Sequence, residues 1–145
     1  MKQYTRSDER TKAMQSFYQV FLFLENKEDF DATEVLLNVF GEDDIKEVPL
    51  YAKAIYSLGL EHFEEIRSLI ANHLNGWTFE RIDDVAKAIL FTSISEGLYV
   101  KGAPRKVVIN EGVKMAKNFC KENDYRFINA VLDKSIPPYE FMEQA

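Results

Sequence analysis

The chain has 145 residues, of which 18 are Lys or Arg and 24 are Asp or Glu, giving a formal net charge of −6. With 46% hydrophobic and 29% charged residues it has the composition of a folded globular chain, which excludes a disordered or collagen-like one. The length fits one domain, or two small lobes sharing a core, and the acidic balance argues against indiscriminate coating of DNA while leaving room for a local basic patch.

Four prolines and six glycines punctuate the chain. Between Pro49, Pro104, Pro137 and Pro138 the pattern is helical, with no alternating strand of any length and no hairpin turn. The first helix is predicted from about Ser7, a cap followed by Asp8 and Glu9 at the positive helix start, to Glu25. Met14, Phe17, Phe21 and Leu24 recur at spacings of three and four as its buried stripe, widened by Tyr18 and Leu22. A second, shorter helix starts near Asp31, with Glu34 at capping-box spacing, and stops at Gly41. GEDDIKEV then forms an acidic loop. Pro49 opens a third helix, in the first turn where its missing N–H costs nothing. Ile55, Leu58, Phe63, Ile66, Leu69 and Ile70 supply its core face, Gly59 marks close packing or a kink, and Asn75-Gly76 ends it. Trp77 to Arg81 is a short link, one helical turn capped by Thr78. The next helix covers roughly Ile82 to Val100, with Ile82, Val85, Ile89, Leu90 and Ile94 inward. A sixth runs from about Arg105 to Lys121, lined by Val108, Ile109, Val113, Ala116 and Cys120. Asn123 or Asp124 caps a last helix through Lys134 that turns Ile128, Val131 and Leu132 inward, and Pro137-Pro138 ends it. The predicted fold is all-α, a bundle of six or seven helices over residues 1–136 with 137–145 as a flexible tail.

Charge is unevenly placed along this bundle. Residues 1–12 carry net +2, residues 25–47 net −7, and residues 101–134 net +4. An acidic protein with basic ends can bring those ends together in the fold. No run of about 20 apolar residues marks a membrane span, and MKQYTRSDERTK leads into no signal-peptide core. The single cysteine, Cys120, cannot form an internal disulfide, so a reducing, cytoplasmic location is expected. One cysteine with His62 and His73 is too few for zinc without carboxylates. No GxGxxG, P-loop, HExxH or GxSxG is present, so neither a catalytic site nor a cofactor nor a metal is expected.

Three segments carry a more specific signal. They read WTFERIDDVAKAILFTSISEGLY from Trp77, PRKVVINEGVKMAKNF from Pro104, and RFINAVLDK from Arg126. The first opens as Trp-x-x-x-Arg and runs through an Ile-Leu helix to Glu96. The second is Pro-x-x-Val-x-Ile-Asn-Glu followed by Ala116-Lys117. The third is Arg-Phe-Ile-Asn-x-Val-Leu-Asp. In this order and spacing the C-terminal half resembles the NusB family of transcription antitermination factors. Ala13, Gln15 and Tyr18 add an Ala-x-Gln-x-x-Tyr run in the first helix.

The resemblance implies an all-α fold of two packed helical subdomains, about residues 1–75 and 76–136. It implies a non-enzymatic adaptor that binds the single-stranded boxA segment of ribosomal RNA leader transcripts. The implied partner is NusE, a small-subunit ribosomal protein, in a complex with RNA polymerase and other Nus factors that reads through terminators. A homodimer through the surface used for NusE is the alternative assembly. Single-stranded RNA is held by cations along its backbone and planar side chains on its bases. The family's arginine-rich N-terminus points to Arg6 and Arg10, with Lys2 and Lys12 added here and Ser7 and Asp8 interrupting the motif. In the C-terminal signature Arg126 is the candidate for phosphate, Phe127 for stacking and Asn129 for a base edge. Lys114 and Lys117, one turn apart, extend the basic track. Asn110 and Glu111 are expected to make a buried polar contact between subdomains. For NusE the candidates are Tyr18, Glu80, Arg81 and Asp84, acidic groups suiting a basic ribosomal protein.

Two other readings fit the same residues. One is a helical adaptor that binds protein alone, its basic ends incidental. The other is a stand-alone relative of the RNA-binding domain found in ribosomal RNA methyltransferases, with no methyl-donor domain expected within 145 residues.

Overall fold

A computed structural model describes residues 3–142. Among them are seven α-helices and no strand: α1 Arg6–Glu25, α2 Ala32–Phe40, α3 Leu50–Glu61, α4 Phe63–Ala71, α5 Asp84–Ser95, α6 Arg105–Phe119 and α7 Asp124–Ser135. None of them is long and apolar enough to cross a membrane. The all-helical expectation therefore holds.

Helix α5 is the axis of the bundle. Every residue from Ala86 to Ser95 is buried, as expected for a helix surrounded by others. Its hydroxyls find partners inside: Thr92 donates to Ala88 O at 2.8 Å and Ser95 to Ile55 O at 2.7 Å. Helix α1 packs along α5 through aromatic rings, Phe21 lying 5.1 Å and Phe17 5.8 Å from Phe91 between ring centres. Helices α2 and α3 flank α1, while α6 and α7 pair with each other on α5.

Several boundaries depart from the sequence reading. The cap of α1 is Thr5, not Ser7. Its hydroxyl accepts from the Asp8 N–H at 3.0 Å and its own N–H donates to the Asp8 carboxylate at 3.1 Å, a reciprocal capping box. The expected third helix is two helices broken at His62. The break lets Phe63 turn inward, 4.8 Å from Phe91 and 5.7 Å from Phe21, while the His62 ring stacks on Tyr99 at 3.8 Å. Helix α5 does not reach Val100. It gives way to a wider π turn over Glu96–Val100, closed by Lys101 in the left-handed region at φ 51°. The link before α5 is a single 3-10 turn, Phe79–Arg81, and the Thr78 side chain makes no capping bond there.

After α7 the chain stays attached. Ile136 is fully buried, its carbonyl accepts from Arg105 Nε at 2.6 Å, and the Tyr139 hydroxyl donates to Ala103 O at 2.7 Å.

Candidate nucleic-acid interface

The first turns of α1 are embedded in the protein by charged groups. Arg10 is 3% exposed. Its Nε and Nη2 donate to the two oxygens of Glu96, each at 2.8 Å, and its Nη1 donates to Glu111 at 3.0 Å. Burial works against its charge, but the bonds to Glu96 and the charges of Glu96 and Glu111 outweigh it and raise the Arg10 pKa. The Tyr51 hydroxyl donates to the same Glu96 carboxylate, and Glu9, also buried, accepts from the Ala52 N–H at 3.1 Å. This corrects the expectation for Arg10. Its donors are committed to an internal strut joining α1, the π turn and α6, so it is not a cation offered to phosphate. Glu111 makes the expected contact between distant parts of the chain, whereas Asn110 is exposed.

From this strut a basic track leads outward. Arg6 is exposed, and its guanidinium carbon lies 3.5 Å from the centre of the Tyr51 ring. The neighbouring Ser7 hydroxyl bonds Glu111, whose second oxygen is 4.0 Å from Lys114 Nζ. Lys114 and Lys117 are exposed one turn apart on α6, about 5 Å of helix length, and the exposed Lys121 follows in the link to α7. Lys117 Nζ sits 4.8 Å and the Arg126 guanidinium 5.7 Å from the Tyr125 ring centre. The hydrogen bond from Arg126, then its charge, holds the Tyr125 phenol below its ordinary range. Asn129 is exposed one turn beyond Arg126. Lys12 leaves this track, its Nζ reaching Val39 O of α2 at 3.3 Å. Lys2 lies outside the described residues.

Phe127 points to a neighbouring face. It is 37% exposed and lines a cleft of about 560 Å³ between the α4–α5 link and α7. Trp77, 64% exposed, faces the same cleft with Ile82 and Val131, and Arg81, Lys121, Lys134 and His73 edge it, beside Asp83 and Asp124. Cys120 is half-buried at this end of α6, and burial pushes its thiol up to about 11. Trp77, Lys121 and Lys134 were not singled out from sequence. The available signal was a tryptophan directly after the turn residues Asn75-Gly76, a place where a large ring has no core to fill; α4 itself ends earlier, at Ala71, not at Asn75-Gly76 as the sequence suggests.

The candidates for a protein partner divide. Tyr18 lines a groove of about 620 Å³ along α1 with Gln15, Gln19 and Leu22. Tyr18, Leu22 and Glu25 share one face of α1, and Glu25 meets Asp84. A hydrogen bond with Asp84, then the Asp84 charge, holds the Glu25 carboxyl above its ordinary range. Asp84 is 3.4 Å from Lys87 and Glu80 is 2.5 Å from Arg67. The structure thus joins Tyr18 to Asp84, while Arg81 belongs to the cleft.

A family model described as the NusB family matches residues 7–137. The chain is 36% identical over 131 residues to the transcription antitermination protein NusB of Halalkalibacterium halodurans, covering 90% of this chain and 92% of that protein. The solved NusB of T. maritima superposes with a TM-score of 0.80 at 23% identity, over 93% of this chain and 92% of that one. A chain from the crystal structure of antitermination factors NusB and NusE in complex with double-stranded RNA superposes at 0.74 and 24% identity, over 88% and 92%.

Proposed function

The chain belongs to the NusB family, and from that premise we propose how it works. It is a transcription antitermination factor that binds boxA RNA of ribosomal RNA leader transcripts together with NusE and helps RNA polymerase pass terminators. The observations that carry the RNA reading are the run of exposed cations Arg6, Lys114, Lys117 and Arg126 and, on the neighbouring face, the cleft lined by Trp77 and Phe127 and edged by Arg81, Lys121 and Lys134. Cations at this spacing follow a phosphate backbone, and a pair of exposed rings takes bases turned out of a flexible strand. NusE sits on the Tyr18 groove and its acidic end at Glu25, Asp84 and Glu80. There a basic ribosomal protein meets complementary charge, which speeds encounter more than it tightens binding. The role makes and breaks no covalent bond, so the protein acts by bringing RNA and NusE together, in the cytoplasm where transcription takes place.

Fluorescence anisotropy with a short boxA RNA, against a scrambled RNA of equal length and with or without NusE, tests this. Selective binding that tightens with NusE is expected. Binding to NusE without any RNA selectivity would move the RNA site onto the partner and overturn the track.

A further inference from the structure

We infer that Tyr51 is a positioning residue for RNA recognition, holding the Arg6 guanidinium ready for a phosphate. The inference rests on the RNA reading above and adds a residue that does not itself touch RNA. Tyr51 stands in the first turn of α3, 45 residues from Arg6 in sequence. One end of its ring is pinned, because the hydroxyl donates to Glu96 within the Arg10 strut. One edge is backed by Gly102, where a Cβ would overlap the ring. Against a face of this fixed ring lies Arg6, at 3.5 Å.

A guanidinium stacked on an aromatic ring uses its face and leaves its edge N–H groups directed outward, the geometry that meets a phosphate oxygen pair. Among the described residues no carboxylate lies within ion-pair distance of Arg6. The backbone under Arg6 is fixed as well, since it is the first residue of α1 after the Thr5–Asp8 capping box. Arg6 is therefore ordered before RNA arrives, and RNA binding does not bear the loss of its freedom.

The test is a set of boxA anisotropy titrations across a salt series, with thermal unfolding recorded for each variant. Tyr51→Leu removes the ring but leaves the Arg6 charge, so it is expected to weaken binding about three- to tenfold with the log–log salt slope retained, whereas Arg6→Gln makes that slope shallower by about 0.7, the loss of one phosphate contact on a single strand. Tyr51→Phe keeps the ring and loses the bond to Glu96, so affinity and slope are retained although the thermal midpoint falls. Arg6→Gln weakens binding at least as much as Tyr51→Leu, and the double variant is no weaker than Arg6→Gln alone. Arg6→Lys keeps the charge and loses the planar stack, so it weakens binding with the slope unchanged, and it carries the test if Tyr51→Leu does not fold. Wild-type affinity in Tyr51→Leu, effects that multiply in the double variant, or wild-type affinity in Arg6→Lys each overturn the inference while leaving the RNA reading intact. Absence of boxA selectivity in the wild type overturns the RNA reading itself.

Discussion

One turn of α1 separates Arg6, exposed on a phenol ring, from Arg10, buried between two carboxylates. Their substitutions are expected to separate binding from stability. Arg10→Met leaves Glu96 and Glu111 without their partner in a buried site and costs about 3–5 kcal/mol, read from the denaturant midpoint. Arg6→Gln changes stability by no more than about 0.5 kcal/mol, as for an ordinary surface position, while weakening RNA binding. Phe127, 37% exposed at the cleft, should also act on binding. Phe127→Leu keeps much of the volume but loses the stacking face, at a cost of about 1–3 kcal/mol in RNA affinity. Its thermal midpoint should barely move; a large drop would mean that the ring is serving the core. Glu25 gives the pH dependence. Because Asp84 raises its carboxyl pKa above 4.5 in the fold, the folded chain holds that proton more tightly than the unfolded chain. The resulting stability is complete below the unfolded value and is lost as pH rises through the raised one. Glu25→Gln should therefore melt at or above the parent at neutral pH, with the advantage vanishing as pH falls below the ordinary glutamate range.

At the scale of elements, α1, α3 and α5 meet where side chains are smallest. Gly59 lies on α3 against the tip of the Phe17 ring, which a Cβ would overlap. Phe17 is itself fully buried and tilted against Tyr56 and Phe91, so it has little room to retreat. Gly59→Ala should gain helix propensity and still lose about 1–3 kcal/mol through overpacking, measured by thermal unfolding. Three residues later the chain breaks at His62. The π turn after α5 does comparable work by bringing Glu96 inward to Arg10 and Tyr51.

Across the whole molecule, net charge conceals a division of labour. The acidic stretch of residues 25–47 outweighs the basic stretch of residues 101–134, yet α6, α7 and the link between them keep Lys114, Lys117, Lys121 and Arg126 exposed, and the start of α1 is tied to α6 through Ser7 and Arg10. A salt titration reads this directly. Replacing both Lys114 and Lys117 with Gln should make the log–log salt slope for boxA RNA shallower by about 1.4, two contacts at about 0.7 each, with the thermal midpoint unchanged. An unaltered slope would remove α6 from the track.

What the sequence by itself determined was the helical class and most of the helices, because apolar spacing, caps and stop residues act within a few neighbours; the break at His62 and the π turn after α5 were not legible in it. Asp31 caps α2 through the N–H groups of Thr33 and Glu34, and Gly41 ends it in the left-handed conformation. The motifs from Trp77 to Asp133 carried the family, and with it the fold. Only the tertiary structure decided which charges are offered to a partner. Arg6 and Arg10 look alike in sequence, but Arg10 meets Glu96 and Glu111, 86 and 101 residues away, and is consumed by them. Asn110 and Glu111 are adjacent, and helix rotation alone turns the first to solvent and the second to Arg10. Trp77 and Phe127 come together across fifty positions because α7 packs beside the link before α5. Local propensity sets each helix, whereas burial and long-range pairing, which depend on how the helices close on one another, set the duties of the charged and aromatic residues they carry.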